Sequence, residues 1–84
     1  MKALAHPARI AIIQLLVHNK SFVGKQLIDL FGLSQATISQ HIKELRNAGF
    51  VKGKKEDKSI RYFANTSAWN KYKATIASVF SDTI

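Results

Sequence analysis

Apolar side chains recur at intervals of three and four residues in four stretches of the chain, and this spacing predicts four helices. The first helical pattern covers residues 2–17, with Leu4, Ile12 and Leu16 on one side. Pro7 lies within it, and because proline is tolerated best in a first turn, the regular helix is expected to start near His6 after a short helical lead-in. Residues 18–20 break the pattern and are expected to form a turn.

The stretch from Leu33 to Gly49 has the clearest helical signals of the chain. Ser34 is a suitable N-cap and Gly49 a suitable C-terminal stop, while an apolar stripe at Ile38, Ile42 and Leu45 predicts a buried side. The opposite side carries short hydroxyls, amides and one cation instead of the Glu and Lys pairs of an ordinary solvated helix. Such groups hydrogen-bond base edges and phosphates. On the opposite side, together with Ala36, they are Ser39, Gln40, Lys43 and Asn47, while Gln35 and Thr37 flank the N-terminal turn.

A tight turn precedes this helix. Residues 21–23 are predicted to form a very short extended piece, and a helix is predicted from about Gly24 to Phe31, with Gly32 as its end. Only Leu33 then separates Gly32 from the Ser34 cap. Two helices joined so closely, with the second carrying a polar outer side, form the helix-turn-helix pattern.

Two β-prone runs follow, Phe50 to Glu56 and Ser59 to Asn65, and the polar turn around Asp57 predicts a hairpin. A basic hairpin beside such a helix is typical of a wing that contacts the sugar-phosphate backbone. Its cations are Lys52, Lys54, Lys55, Lys58 and Arg61. The alternative is a solvated hairpin whose lysines only discourage association of strand edges.

The last stretch is helical again, with Asn65 or Thr66 as the expected cap. Its large apolar face exceeds what so small a chain can cover, so we expect it to pair with its own copy and with the first helix across a two-fold axis. The expected interface residues are Leu4, Ile12, Trp69, Tyr72, Ile76, Val79 and Phe80.

Composition narrows the classes of partner. The chain has 84 residues, which indicates one domain over residues 1–84, and a net charge of +8, which favours a polyanion such as nucleic acid or an anionic membrane surface. A membrane role is disfavoured because the lysines lie on a hairpin and not opposite an apolar helical face. No apolar run is long enough to span a membrane and no signal-peptide pattern is present, so a cytoplasmic location is expected. The absence of cysteine excludes disulfides and thiolate metal sites.

The segments KALAHPARIAIIQLL, LSQATISQHIKELRNAGFV and RYFAN resemble the ArsR family of bacterial winged helix-turn-helix repressors, and the resemblance covers nearly the whole chain. It implies a mainly α fold with a small β-hairpin, in which helices flank a two- or three-stranded wing. It also implies a homodimer built on the first and last helices, bound to an operator that overlaps its own promoter.

Many members of that family release DNA on binding a metal through Cys clusters or through Asp and His on the last helix. This chain departs from both patterns, since it has no cysteine and its last helix has no histidine and only Asp82 as an acid. None of His6, His18 and His41 pairs with another at i, i+4, and for His41 packing or a phosphate contact is favoured over metal binding. No metal, no cofactor and no identifiable effector are therefore expected.

We expect a sequence-specific regulator that binds double-stranded DNA as a homodimeric repressor on a pseudo-palindromic operator. Gln35, Thr37, Ser39 and Gln40 are the expected base contacts, and Ser34, Lys43 and the five wing cations the expected phosphate contacts. The rival from another class is a winged-helix module that binds protein without specific DNA binding. An enzyme is disfavoured because the chain has no nucleophile with a base at a recognisable spacing, no paired carboxylates and no phosphate-cradling glycine loop.

Overall fold

The computed structural model describes the backbone of Leu4, residues 6–19 and residues 21–83, with side chains as far as Val79. It contains four helices and a three-stranded antiparallel sheet, which confirms the predicted winged helix-turn-helix class. In chain order the elements are α1 (Pro7–Asn19), β1 (Ser21–Val23), α2 (Gly24–Phe31), α3 (Gln35–Asn47), β2 (Val51–Glu56), β3 (Ser59–Ala64) and α4 (Thr66–Thr83).

The first helix begins at Pro7, as predicted, but it runs through His18 to Asn19 instead of ending before them. The Asn19 side chain donates to the Leu15 carbonyl at 3.0 Å, so a residue expected to break the helix instead bonds to its preceding turn. The predicted lead-in falls mostly outside the described residues. Leu4, the part of it that is described, is buried against the core.

The short piece at Ser21–Val23 is the third strand of the sheet, whose order is β1-β3-β2. Strands β2 and β3 pair along their whole length, and Asp57 adopts a left-handed φ of 42° in the two-residue turn between them. The hairpin formed by residues 51–64 is called the wing below. Because alternate residues of a strand face opposite ways, the pairing places Gly53, Tyr62 and Phe22 on one face and Lys54, Arg61 and Val23 on the other.

The core lies between α1, α2, α3 and the first face of the sheet. Its completely buried side chains include Ile12, Leu16, Leu27, Ile38 and Leu45. Gly32, with a left-handed φ of 64°, ends α2 and begins the turn of the helix-turn-helix. Its backbone N–H donates to the Ile28 carbonyl and so caps the C-terminus of α2.

Asn65 joins the end of α3 to the start of α4. Its side-chain amide donates to the Gly49 carbonyl at 2.9 Å, and its side-chain oxygen accepts from the Ala68 backbone N–H at 3.3 Å, which makes it the N-cap of α4. Gly49, at φ 85°, provides the left-handed turn out of α3. These polar contacts therefore fix the start of α4 next to the end of α3.

Candidate nucleic-acid interface

The N-terminus of α3 is capped as predicted. Ser34 Oγ accepts from the Thr37 backbone N–H at 3.1 Å and also donates to Thr37 Oγ1 at 2.9 Å. The Ser34 hydroxyl therefore serves as the cap of α3, and its phosphate contact stays a prediction. Each hydroxyl of this pair can donate or accept, so Thr37 keeps hydrogen-bonding capacity for an outside group.

The four expected base-contacting side chains are all exposed on α3. At 100° per residue, Gln35 and Ser39 lie on the flank of α3 that faces the wing, and both line a groove that also includes Lys58 and Tyr62. Thr37 lies on the opposite flank, and Gln40 projects from the middle of the outer side. The sequence pattern did not show which flank would face the wing.

The Gln40 side chain is hydrogen-bonded to Glu44, a contact that the sequence did not predict. Its amide nitrogen donates to Glu44 Oε1 at 3.1 Å, one helical turn away. One N–H and the carbonyl oxygen of the amide remain available, and these are the donor and acceptor that an adenine edge requires in the major groove. Glu44 thus orients Gln40 without consuming its base-pairing groups.

The other side of α3 is tied to α1 by a buried cation. Arg9 is only 8% exposed, and its Nε donates to His41 Nδ1 at 3.0 Å, while the His6 ring lies 5.7 Å from the His41 ring between centroids. Burial, and then the charge of Arg9 and the proximity of His6, lower the pKa of His41 below its ordinary 6.5. Of the two roles expected for His41, packing and a phosphate contact, the structure shows the first, against α1. The burial of Arg9 was missed, since its charge suggested the surface.

The wing divides its lysines between two faces. Lys55 lies on the face of Gly53 and Tyr62, which packs toward α3, whereas Lys52 and Lys54 lie on the opposite face. Lys58 follows Asp57 at the tip and lines both openings between the tip and α3. We call the space between α3 and the first face of the wing the helix–wing groove, and its basic side chains are Lys43, Arg46, Lys55 and Lys58.

Arg61 is engaged by two acceptors within the sheet. Its Nε donates to both Glu56 carboxylate oxygens, at 3.0 and 3.1 Å, and its Nη1 donates to Ser21 Oγ at 3.2 Å. The side chain is therefore a cross-link over all three strands, on the face directed away from α3. The local sequence did not reveal that Glu56 and Ser21 would flank Arg61, and its phosphate contact stays a prediction.

The expected dimer residues separate into two groups. Leu4, Ile12 and Trp69 are buried within the single chain, at 6%, 0% and 6% exposure, so their apolar surface is already covered by its own core. Within one chain these three are core residues, Ile12 most completely, and their contact with a second subunit stays a prediction.

The remaining residues of that set lie along α4. Tyr72 packs edge-to-face on Phe50 and stacks on Trp69, while Ile76 and Val79 are 38% and 56% exposed. The side chain of Phe80 lies outside those described. Tyr72, Ile76 and Val79 thus form an apolar strip along α4. A groove beside Tyr72, lined by Ala48, Phe50 and Ala68, extends this strip toward the end of α3. The strip remains a predicted dimer surface.

Within the part of the chain that the structure describes, no three His, Asp or Glu side chains come together as a potential metal site. Nor does any described helix combine the length and apolarity required to cross a lipid bilayer.

The comparisons with known proteins identify relatives over most of the chain. A family model described as "Bacterial regulatory protein, arsR family" matches residues 6–52, which is more than half of the 84 residues. The chain is 41% identical over 61 residues to the uncharacterized HTH-type transcriptional regulator Rv0081 of Mycobacterium tuberculosis, covering 73% of this chain and 54% of that protein. The chain thus spans about half of that relative's length. The crystal structure of Rv0081 superposes with a TM-score of 0.73 at 31% identity, covering 98% of this chain and 86% of that one.

Two further relatives have names that state opposite regulatory effects. The HTH-type transcriptional repressor SmtB of M. tuberculosis is 37% identical over 62 residues, covering 74% of this chain and 45% of that protein. The transcriptional activator HlyU of Vibrio cholerae is also 37% identical over 62 residues, covering 74% and 56%. A solved HlyU structure from that species gives a TM-score of 0.76 at 26% identity, with 95% of this chain and 86% of that chain covered.

Proposed function

Because the chain belongs to the ArsR family of bacterial regulatory proteins, we propose that it is a regulator of transcription that binds operator DNA as a homodimer. Its relatives are regulators and not enzymes by name. The single observation that carries the proposal is the exposed, nearly uncharged outer side of α3 next to a basic wing. We call α3 the recognition helix from here on.

Base reading is assigned to four recognition-helix side chains: Gln35, Thr37, Ser39 and Gln40. Gln40 is the strongest candidate because its amide is already oriented by Glu44 with one donor and one acceptor outward. A bidentate pair of glutamine with adenine discriminates against the wrong base by about 1–3 kcal/mol. Thr37 offers one hydroxyl, and Gln35 and Ser39 face the groove next to the wing.

Phosphate contacts are assigned to Lys43 on the recognition helix and to Lys55 and Lys58 on the wing, which share the helix–wing groove. Lys54 and Lys52 lie on the other face and are assigned a weaker role through the general basic field. Such contacts supply affinity and register and carry no sequence information directly.

The dimer is proposed to form along α4 through Tyr72, Ile76 and Val79, with Phe80 as the next residue of the same apolar pattern. A two-fold dimer that places two recognition helices about one turn of DNA apart would bind a pseudo-palindromic operator. The 84 residues then act as one DNA-binding domain whose terminal helix also carries the interface.

We assign the cytoplasm as the site of action, because a bacterial operator lies there. Repression is the proposed effect, in keeping with the named effect of SmtB, whereas the name of HlyU states activation. No effector is assigned.

The test is selection of bound fragments from bacterial genomic DNA by the purified chain, followed by footprinting. The proposal predicts protection of two half-sites one helical turn apart, related by approximate two-fold symmetry. It also predicts that Gln40→Ala weakens binding to the selected site while binding to mixed-sequence DNA stays nearly constant. Equal losses on both kinds of DNA would refute base reading by Gln40, and no enrichment above the input would favour a protein-binding module.

A further inference from the structure

Gly53 lies in the interior of strand β2, where glycine has no evident backbone role. It pairs opposite Tyr62 within a six-residue strand, and its φ is not positive, in contrast to those of Gly32 and Gly49. A glycine inside a strand weakens it and commonly marks the close approach of another group. The reason for glycine at this position must therefore be sought in the space above its Cα.

That space is occupied by Arg46 of the recognition helix and by Ile60 of the neighbouring strand. A Cβ built on Gly53 would lie 3.3 Å from Arg46 Cζ, 3.4 Å from Arg46 Nη1 and 3.1 Å from Ile60 Cγ2. The first and last of these distances are shorter than ordinary carbon contacts of about 3.5–4.0 Å. The guanidinium thus lies directly against the backbone of the wing, so close that a Cβ at position 53 would displace it by a few tenths of an ångström.

Arg46 also stands where the recognition helix and the wing meet. It lies in the last turn of α3, on the same flank as Ser39, and lines the groove next to Lys43 on one side and next to Lys55 and Lys58 on the other. A cation in a last turn interacts favourably with the helix dipole, but this accounts only for the charge and not for the missing side chain beneath it.

The charge of Arg46 is uncommitted within the described residues, where it has neither a hydrogen-bond acceptor nor an ion-pair partner. Arg9 and Arg61, in contrast, donate to His41 and to Glu56. The one acid that lines the groove with Arg46 is Asp57 at the wing tip. A planar guanidinium held between two DNA-contacting elements has the geometry to bind a phosphate with two parallel N–H donors.

We propose that Arg46 binds a DNA phosphate in the helix–wing groove and that Gly53 is a positioning residue that seats its guanidinium there. The inference rests on the proposed DNA binding and adds to it a contact shared by the recognition helix and the wing. It explains why a strand otherwise rich in lysine has a glycine at the one position beneath Arg46.

The experiment measures the affinity of the full chain for a mixed-sequence duplex of about three helical turns as a function of salt concentration. Four variants are compared: Arg46→Gln, Gly53→Ala, the combination of both, and Lys52→Gln. The last is a matched control that removes the same charge from the wing face directed away from the recognition helix. Thermal unfolding of each variant reports separately on the fold.

Arg46→Gln is expected to make the slope of log affinity against log salt shallower by about 0.9 for each phosphate contact that is lost. For one contact, this means about an eightfold loss of affinity at about 0.1 M salt, relative to the affinity at about 1 M salt. Gly53→Ala keeps every charge and is expected to weaken binding in the same direction by a smaller factor, with no loss of melting temperature. In the Arg46→Gln background, Gly53→Ala should have no further effect, because the group it displaces is gone.

The inference would be overturned if Arg46→Gln lost no more affinity for DNA than Lys52→Gln, or if Gly53→Ala bound DNA like the parent chain. It would also be overturned if Gly53→Ala reduced the affinity equally in the presence and in the absence of Arg46. If Gly53→Ala fails to fold, the comparison of Arg46→Gln with Lys52→Gln still decides the phosphate contact. A parent chain that binds no duplex at any salt concentration would instead refute the proposed function itself.

Discussion

The bond between Arg9 and His41 gives the sharpest prediction of stability. His41→Ala removes one acceptor of the Arg9 guanidinium, which is only 8% exposed and donates to His41 at 3.0 Å. A hydrogen bond to a charged group contributes about 1.5–3 kcal/mol, so a loss of about 2 kcal/mol is expected. For a domain of this size that corresponds to a fall in melting temperature of about 8–16 °C.

Equilibrium unfolding in urea at pH 7.5 and fixed protein concentration is the assay, with the slope m held common to all variants. His18→Ala is the matched control, because His18 is exposed at the end of α1 and its loss should stay within about 0.5 kcal/mol. If the two alanine variants were equally stable, the bond between Arg9 and His41 would not contribute to the fold as argued.

The same pair predicts a pH dependence. The pKa of His41 is lowered in the folded chain, so below about pH 6.5 the unfolded chain binds more protons than the folded chain. The free energy of unfolding therefore decreases as the pH is lowered. The loss begins near the unfolded pKa, stops below the lowered native pKa, and is absent above about pH 7. Urea titrations between pH 7.5 and 5 should show this decline in the parent and a shallower one in His41→Ala. Parallel profiles would contradict it.

Three further predictions concern the cap, the wing tip and the dimer. Ser34→Ala should cost about 1 kcal/mol by removing the N-cap of α3, and an unchanged melting temperature would count against the cap. Asp57→Asn keeps a residue that tolerates the left-handed turn but removes a negative charge from the helix–wing groove. The affinity for duplex DNA should therefore rise at low salt in a filter-binding titration, and an unchanged affinity would contradict this. Ile76→Glu should convert a dimer to monomers in sedimentation velocity, whereas Ala74→Glu, about 200° around α4, should leave it intact. Equal masses for these two variants would refute the assigned face.

Local sequence was sufficient for the elements themselves. Helix α3, its Ser34 cap and its Gly49 stop, the Gly32 end of α2 and the hairpin turn all followed from signals a few residues long. Such signals act between neighbours in the chain, where capping and turn conformation are decided before any packing. The end of α1 was misplaced by two residues because Asn19 bonds a carbonyl one turn back, which propensity alone does not reveal.

Contacts between distant residues required the tertiary structure. Whether a cation is free, paired or buried depends on what the fold brings to it: Glu56 and Ser21 to Arg61, His41 to Arg9, and the bare backbone of Gly53 to Arg46. In the sequence all three arginines are equivalent positive charges. Only the fold distinguishes a strand cross-link, a buried tie between helices and an uncommitted charge.

The same distinction holds for apolar residues. The periodic pattern determined that Ile12, Trp69 and Ile76 lie on the apolar faces of their helices, because amphipathic spacing is a property of the sequence itself. Which of these faces the single chain covers depends on how the helices pack, and the structure buries Ile12 and Trp69 while leaving Ile76 partly exposed. The sequence by itself thus determined the helix-turn-helix, the wing and the polar outer side of α3. The tertiary structure decided which charges and which apolar side chains remain for a partner, because burial and pairing are set by residues far apart in the chain.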